Sequence, residues 1–250
     1  MTNFGEQVEE SPFASRGFVL SGAFLGVIAL VGLLVIALGF MGEDEREGSS
    51  SADSVVNPRP TDDPSPGDGE SMCGLTEVET GGGLAESPEG TEWELVGKIA
   101  APYVEGHGPE MVGDDGYRSC FSHTPLGAVL AAANWTAMGS DPELSSDLME
   151  RILAESPGRE VALAEEEASD TSSDDDMSVQ IAAFRVISYD GDEASVQIVY
   201  TSSYGLHMVF PVDMRWEGGD WKLLLADDGE PVTPPYPVET FAGFIRWQGA

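Results

Sequence analysis

Basic residues are scarce in this chain. Lysine occurs only at Lys98 and Lys222, and eleven Lys and Arg face 45 Asp and Glu, for a formal charge of -34. A surface of that sign repels phosphate backbones and anionic lipid leaflets, which excludes direct nucleic-acid binding and adhesion to the membrane surface as primary roles. Cysteine is almost absent too: Cys73 and Cys120 form no CxxC and no Cys/His spacing suited to a metal. The three histidines, His107, His123 and His207, stand at no metal-ligand distance from one another or from a cysteine. There is no Ser/His/Asp order, no phosphate-cradling glycine loop and no nucleotide motif. The sequence therefore predicts no enzyme, no catalytic residue, no cofactor and no metal.

What is present is one long apolar run, Phe18 to Phe40, FVLSGAFLGVIALVGLLVIALGF, without a single charge. As a helix it would be roughly 34 Å long, enough to cross a hydrocarbon core of about 30 Å. A cleaved signal peptide is the rival reading, and Ala37-Leu38-Gly39 resembles a cleavage site. The run exceeds the usual signal core of about 7 to 15 residues, however, and its leader carries more acid than base. The reading is an uncleaved anchor over residues 17–41, with residues 1–16 as a cytoplasmic tail. Gly22 and Gly26 form a small-xxx-small pair on which a second membrane helix could pack closely. Residues 42–72 are rich in Ser, Pro, Asp and Gly and read as a disordered acidic linker. The folded part is then 73–250. Cys73 and Cys120 lie on the same side of the anchor, which favours a disulfide in an oxidising compartment over two buried thiols. That places the chain in the cell membrane as a single-pass protein, its N-terminus cytoplasmic and its C-terminal domain extracytoplasmic.

Within the folded part, Glu92 to Ala100 alternates as one strand that Pro102 ends. A glycine-rich irregular stretch leads to Cys120. Thr124 then caps, and Pro125 opens, an Ala-rich helix to about Met138, thin enough to lie close to a sheet. Asp141-Pro142-Glu143 opens a second helix to about Glu155, with Leu144, Leu148 and Ile152 on one face, and a third covers Glu160 to Glu167. Beyond the acidic loop from Ala168 to Asp176 the period changes to two. Strands are expected over Ser178–Tyr189, Glu193–Ser202, Leu206–Glu217 and Asp220–Ala226, with turns at Asp190-Gly191 and Gly218-Gly219. Met208, Phe210, Val212, Met214 and Trp216 should share a face, Trp216 and Trp221 should pair, and Pro211 should mark an edge or a bulge. Phe241, Phe244, Ile245 and Trp247 should pack back as a short final element.

Helices followed by antiparallel strands, ending in the hairpin Trp216-Glu-Gly-Gly-Asp-Trp221-Lys222-Leu223, resemble the NTF2-like, cystatin-like α+β cone over residues 120–226. The His123-Thr124-Pro125 entry to the helix Gly127 to Asn134, behind an anchor and acidic linker, resembles actinobacterial membrane proteins of integrative conjugative elements. That resemblance implies kinship with the NTF2-like assembly subunits of conjugative type IV secretion systems. The implied role is an envelope scaffold whose partners are other envelope proteins or a second copy of itself. The alternative is a cone that binds or transforms a small hydrophobic molecule, for which His123 and Asp213 are the pocket candidates. His123 reads more simply as a residue that fixes the turn into the helix. Asp170, Asp174, Asp175 and Asp176 lack the glycine and closing glutamate of a calcium loop and read as solvated. The Asn134-Trp135-Thr136 sequon falls on a packed helix.

Overall fold

The computed structural model describes residues 71–168 and 179–249. The apolar run 18–40 with Gly22 and Gly26, most of the linker and the acidic loop with Asp170 and Asp174–Asp176 lie outside these residues. Among the described residues no helix is long and apolar enough to cross a membrane.

The fold is α+β. Helix α1, Pro125–Gly139, has no polar face, and all fifteen of its residues are buried. A helix apolar on every side must be covered on every side. On one flank it meets the main antiparallel sheet, and on the other the segment that precedes it in sequence. The sheet runs β10-β5-β6-β7-β8, with β9 also on β7. Its strands are β5 (Val179–Tyr189), β6 (Glu193–Ser202), β7 (His207–Glu217), β8 (Asp220–Leu223), β9 (Tyr236–Val238) and β10 (Ile245–Arg246). The preceding segment, here the arm, carries hairpins β1–β2 (Glu92–Val96, Ile99–Tyr103) and β3–β4 (Met111–Val112, Arg118–Ser119). Helices α2 (Ser145–Ile152) and α3 (Pro157–Ala168) close the β8 side.

Local chemistry explains α1. Thr124 Oγ1 accepts the Gly127 N–H at 3.1 Å, and Pro125 follows at the first turn. Glycine is required at 127 because a Cβ there would collide with the Ser122 carbonyl. Asn134, Trp135 and Thr136 are buried, so the sequon is a packing element: Asn134 Nδ2 donates to the Pro102 and Leu130 carbonyls, and Tyr200 Oη donates to Thr136 Oγ1 at 2.7 Å.

Three expected boundaries need correction. Glu92 to Ala100 is not one strand but most of a hairpin, because Gly97 adopts φ +55° and turns the chain at Gly97-Lys98. Pro102 does not end it; it sits inside β2 opposite Trp93. The second helix starts at Ser145, since Asp141 first makes a turn, its Oδ1 accepting from Glu143 N–H and its carbonyl from Ser145 N–H. Leu144, Leu148 and Ile152 are buried as expected, although the helix ends at Ile152. The strand from Asp220 stops at Leu223, and Leu225 makes only an isolated bridge to Pro231.

The sheet has two different faces. Phe210, Val212, Met214 and Trp216 of β7 pack against the main core beneath α1, with Phe184, Ile198 and Tyr200. On the other face Ala183, Val199 and Val209 are covered by Tyr236, Val238, Phe241 and Phe244 of the C-terminal segment. Register shifts at Ile181/Ala183 and Val186/Ser188 bend β5. Pro211 lies between the part of β7 paired with β9 and the part paired with β8, where the outer edge needs no donor from it.

Trp216 and Trp221 are direct cross-strand partners with ring centroids 5.2 Å apart, and Trp221 is 1% exposed. Replacing Trp221 by alanine should cost about 3–5 kcal/mol, a large share of a typical stability of roughly 5–15. Tyr204→Ala, at a site 74% exposed, should stay within about 0.5 kcal/mol. Urea denaturation of both variants checks the contrast.

Candidate functional site

The densest polar chemistry lies where the arm returns to the sheet. Cys73 and Cys120 are disulfide-bonded, with Cα atoms 6.1 Å apart across a separation of 47 residues. The fold reaches back past Cys73: Ser71 is buried, its Oγ accepts the Leu75 N–H at 2.8 Å, and Met72 N–H donates to the Gly219 carbonyl. Cys120 is, among the described residues, the one non-glycine with positive φ, at +64°. Such a conformation costs roughly 1–3 kcal/mol and persists only when its surroundings impose it. Here Asp220 does so. Its Oδ2 accepts the Cys120 N–H at 2.8 Å and its Oδ1 the Phe121 N–H at 3.0 Å, while the residue is 5% exposed. Burial pushes its carboxyl up, opposed by those N–H groups and by the charge of Lys222.

His123 belongs to the same clamp. Its ring stacks on Trp216 at 4.1 Å, meets the edge of Trp221, and donates from Nε2 to the Gly191 carbonyl at 2.5 Å. Its own carbonyl accepts Glu79 N–H, and Trp221 Nε1–H donates to the neighbouring Ser122 carbonyl. Both arrangements tie the helix entry to the turns at 190–191 and 218–219. Ser122 Oγ in turn pairs with His107 Nδ1 at 3.0 Å, so the glycine-rich stretch is held by His107 as well as by the disulfide. His207 bonds Thr201 within the sheet.

The two pocket candidates do not converge. Trp216, on which His123 stacks, and Asp213 are three positions apart on β7, so strand alternation puts them on opposite faces of the sheet. Asp213 sits opposite Ser195 and is half-buried. The space between α1 and the sheet is filled by Leu130, Phe184, Ile198, Tyr200 and Met214, each under 2% exposed. Among the described residues no group of His, Cys, Asp and Glu is placed to hold a metal ion. The position that sequence reasoning missed is Asp220. After Gly218-Gly219 an aspartate reads as turn chemistry, and only its separation of about one hundred residues from Cys120 hides its role.

A second acidic cluster joins α3 to the turn after β8. Burial and the like charges of Asp228 and Glu165 push Glu230 up to about 7, and burial alone pushes Glu166 up. A further feature is an open groove of about 480 Å³ between residues 87–93 and 246–248.

The family match comes from the extent of the chain rather than from any catalytic signature: the model of a domain of unknown function, DUF8175, covers residues 53–246. The chain belongs to that family. No curated protein and no solved structure matches it. The DUF8175 match includes residues 53–72, assigned above to the linker, together with both disulfide cysteines and Asp220.

Two outcomes follow from this chemistry. Asp220→Ala would strand three buried N–H donors, those of Cys120, Phe121 and Trp221, at roughly 1–3 kcal/mol each, so a loss of about 3 kcal/mol or more is expected in chemical denaturation, and less for Asp220→Asn, which keeps one acceptor oxygen. Glu230 has a folded-state pKa above its ordinary 4.5, so the stability linked to it is complete below about pH 4.5 and is lost as pH rises through about 7. Asp220 and Glu166 act in the same direction. Asp115, lowered chiefly by the Tyr117 backbone N–H and by Arg151, has the opposite sign: its contribution is constant above its ordinary 3.8 and is lost only as pH falls below it, so it adds no slope between pH 5 and 8. Thermal melts should therefore fall in midpoint between pH 5 and 8, and Glu230→Gln should fall less. An unchanged slope would mean that Glu230 titrates normally.

Proposed function

We propose that this DUF8175 member is a membrane-anchored extracytoplasmic scaffold, an assembly subunit of an envelope complex such as a conjugative, type IV secretion-like DNA-transfer apparatus. The observation that carries the reading is the disulfide at the entrance to the fold, which follows an apolar run long enough to anchor the chain. A disulfide persists in an oxidising compartment, beyond the membrane from a cytoplasmic leader. The chain order of the fold supports an NTF2-like domain: three helices precede β5 to β8, these four strands neighbour one another in sequence order, and α1 packs on β5, β6 and β8. The additions to such a cone are the arm that covers α1 and the C-terminal segment that covers the opposite sheet face. A scaffold needs rigid, persistent surfaces more than a reactive centre. The buried polar groups of the clamp serve that end, each being spent on holding backbone.

Labelling intact cells with a membrane-impermeant maleimide tests the topology. Cys73 and Cys120 should react only after a reductant is added. Labelling without reductant would place the thiols in a reducing compartment or leave them unpaired. Cross-linking in cells followed by purification should recover envelope proteins with the full-length chain, and a chain that stays uncross-linked would oppose the scaffold role.

A further inference from the structure

The open groove beside β1, about 480 Å³ in volume, is set apart by what lines it. No Asp or Glu is among its lining residues, although the chain carries 45 of them. Strand alternation turns Glu92 and Glu94 to the face of β1 opposite Trp93. No Leu, Ile, Val or Met lines it either. What does line it is indole and hydrogen-bonding groups. Trp247, 3% exposed, is the floor: its Nε1–H donates to Thr91 Oγ1 at 3.1 Å, and its ring lies 5.1 Å from that of Phe184. Thr91 in turn donates to the Pro88 carbonyl at 2.9 Å, so wall and floor are fixed to each other before a ligand arrives. Trp93 is half-buried and stands 5.0 Å from Trp247, the two ring planes tilted by 57°. Ser87, Arg246 and Gln248 complete the lining; all three are exposed, and their side chains form no hydrogen bond or ion pair with other described residues. Arg246 rests over the Phe241 ring at 4.8 Å, its N–H fork unspent.

These properties select a ligand class by elimination. An apolar ligand needs aliphatic walls and finds none. A cationic ligand needs a carboxylate, and the one charge here is that of Arg246. A polyanion is repelled by a chain of formal charge -34, against which a single guanidinium offers little. A proline-rich peptide needs successive aromatic slots, and with Trp247 buried only Trp93 offers an accessible ring. The remaining class carries no charge, exchanges hydrogen bonds with hydroxyl, amide and guanidinium groups, and has an apolar face to lay on an indole. A pyranose ring combines these properties, its hydroxyls around the edge and its C–H groups on the faces. We infer that the groove binds an uncharged oligosaccharide, one sugar ring on Trp93 and its hydroxyls bonded to Ser87, Gln248 and Arg246. Because the groove is open, neighbouring sugars of the chain extend beyond it. The assignment rests on the lining alone and does not require the membrane topology proposed above.

Isothermal titration of the full-length chain, held in a polyoxyethylene detergent that has no sugar headgroup, would use chitohexaose, cellohexaose and mannohexaose as probes, with hexagalacturonate and an oligoproline peptide as controls. At least one neutral probe should bind with a Kd of about 1 mM or tighter. Trp93→Ala should weaken that binding about tenfold or more, and Arg246→Ala and Gln248→Ala about threefold or more each, while Trp93→Tyr, which keeps a ring, should stay within about threefold. Tyr204→Ala removes an aromatic ring that is 74% exposed elsewhere and should leave binding unchanged. Circular dichroism melts would establish that the variants fold, and the exposed positions Arg246 and Gln248 carry the test if Trp93→Ala does not. The assignment would be overturned by no binding of any neutral probe, or by a loss with Tyr204→Ala equal to that with the groove variants. Tighter binding of the hexagalacturonate or of the oligoproline than of every neutral probe would overturn it as well.

Discussion

A helix without a polar face is the constraint from which the rest of this domain follows. Each residue of α1 is buried, so neither a sheet alone nor a pair of neighbouring helices could satisfy it. The sheet covers one side through Phe184, Ile198, Tyr200 and Met214. The arm covers the other through Ile99, Ala101 and Pro102, the last also accepting a hydrogen bond from Asn134. The arm has little core of its own: its hairpins are two-stranded, and Leu95, Met111 and Val112 remain exposed. Isolated hairpins of that size are marginal in water. The arm therefore depends on α1 as much as α1 depends on the arm.

The clamp at Cys73, Cys120, His123 and Asp220 resolves that mutual dependence. On the chain-entropy view, closing a loop of 47 residues with a disulfide stabilises the fold by about 4 kcal/mol, and the loop it closes contains the whole arm up to the entrance of α1. Asp220 holds the same junction from the sheet side, binding the N–H groups of Cys120 and Phe121 where the backbone takes its one non-glycine left-handed turn among the described residues. His123 and Trp221 add contacts to the two hairpin turns. The chemistry of this junction is all directed at position, which accords with a domain that presents surfaces.

Much of this was legible because it is local. Thr124-Pro125, the alternation of Glu193 to Glu217, the Gly218-Gly219 turn and the pairing of Trp216 with Trp221 are each set by residues within one element or one hairpin. Boundaries failed where a single residue overrode a pattern: Gly97 folds a strand-like run into a hairpin, and Asp141 spends its capping ability on a turn before the helix begins. The site was harder for a different reason. His123, at the helix entry, and Asp213, on the polar register of its strand, were candidates for one pocket only by analogy with a cone, and the register of β7 puts Asp213 on the sheet face opposite to the Trp216 ring on which His123 stacks. Asp220 was invisible because its partners lie far away in sequence, and the arm's place over α1 is a tertiary fact that no periodicity encodes.

Amide hydrogen exchange of α1 in the folded chain, with the disulfide intact and after reduction, tests the interdependence of arm, clamp and helix most directly. With the disulfide closed, the amides of Ala128 to Met138 should exchange only through global unfolding. On reduction their protection should fall by about a thousandfold, the equivalent of roughly 4 kcal/mol, together with that of β1 and β2. Protection of α1 that survives reduction while the arm exchanges freely would contradict the account, since the helix would then be held by the sheet alone.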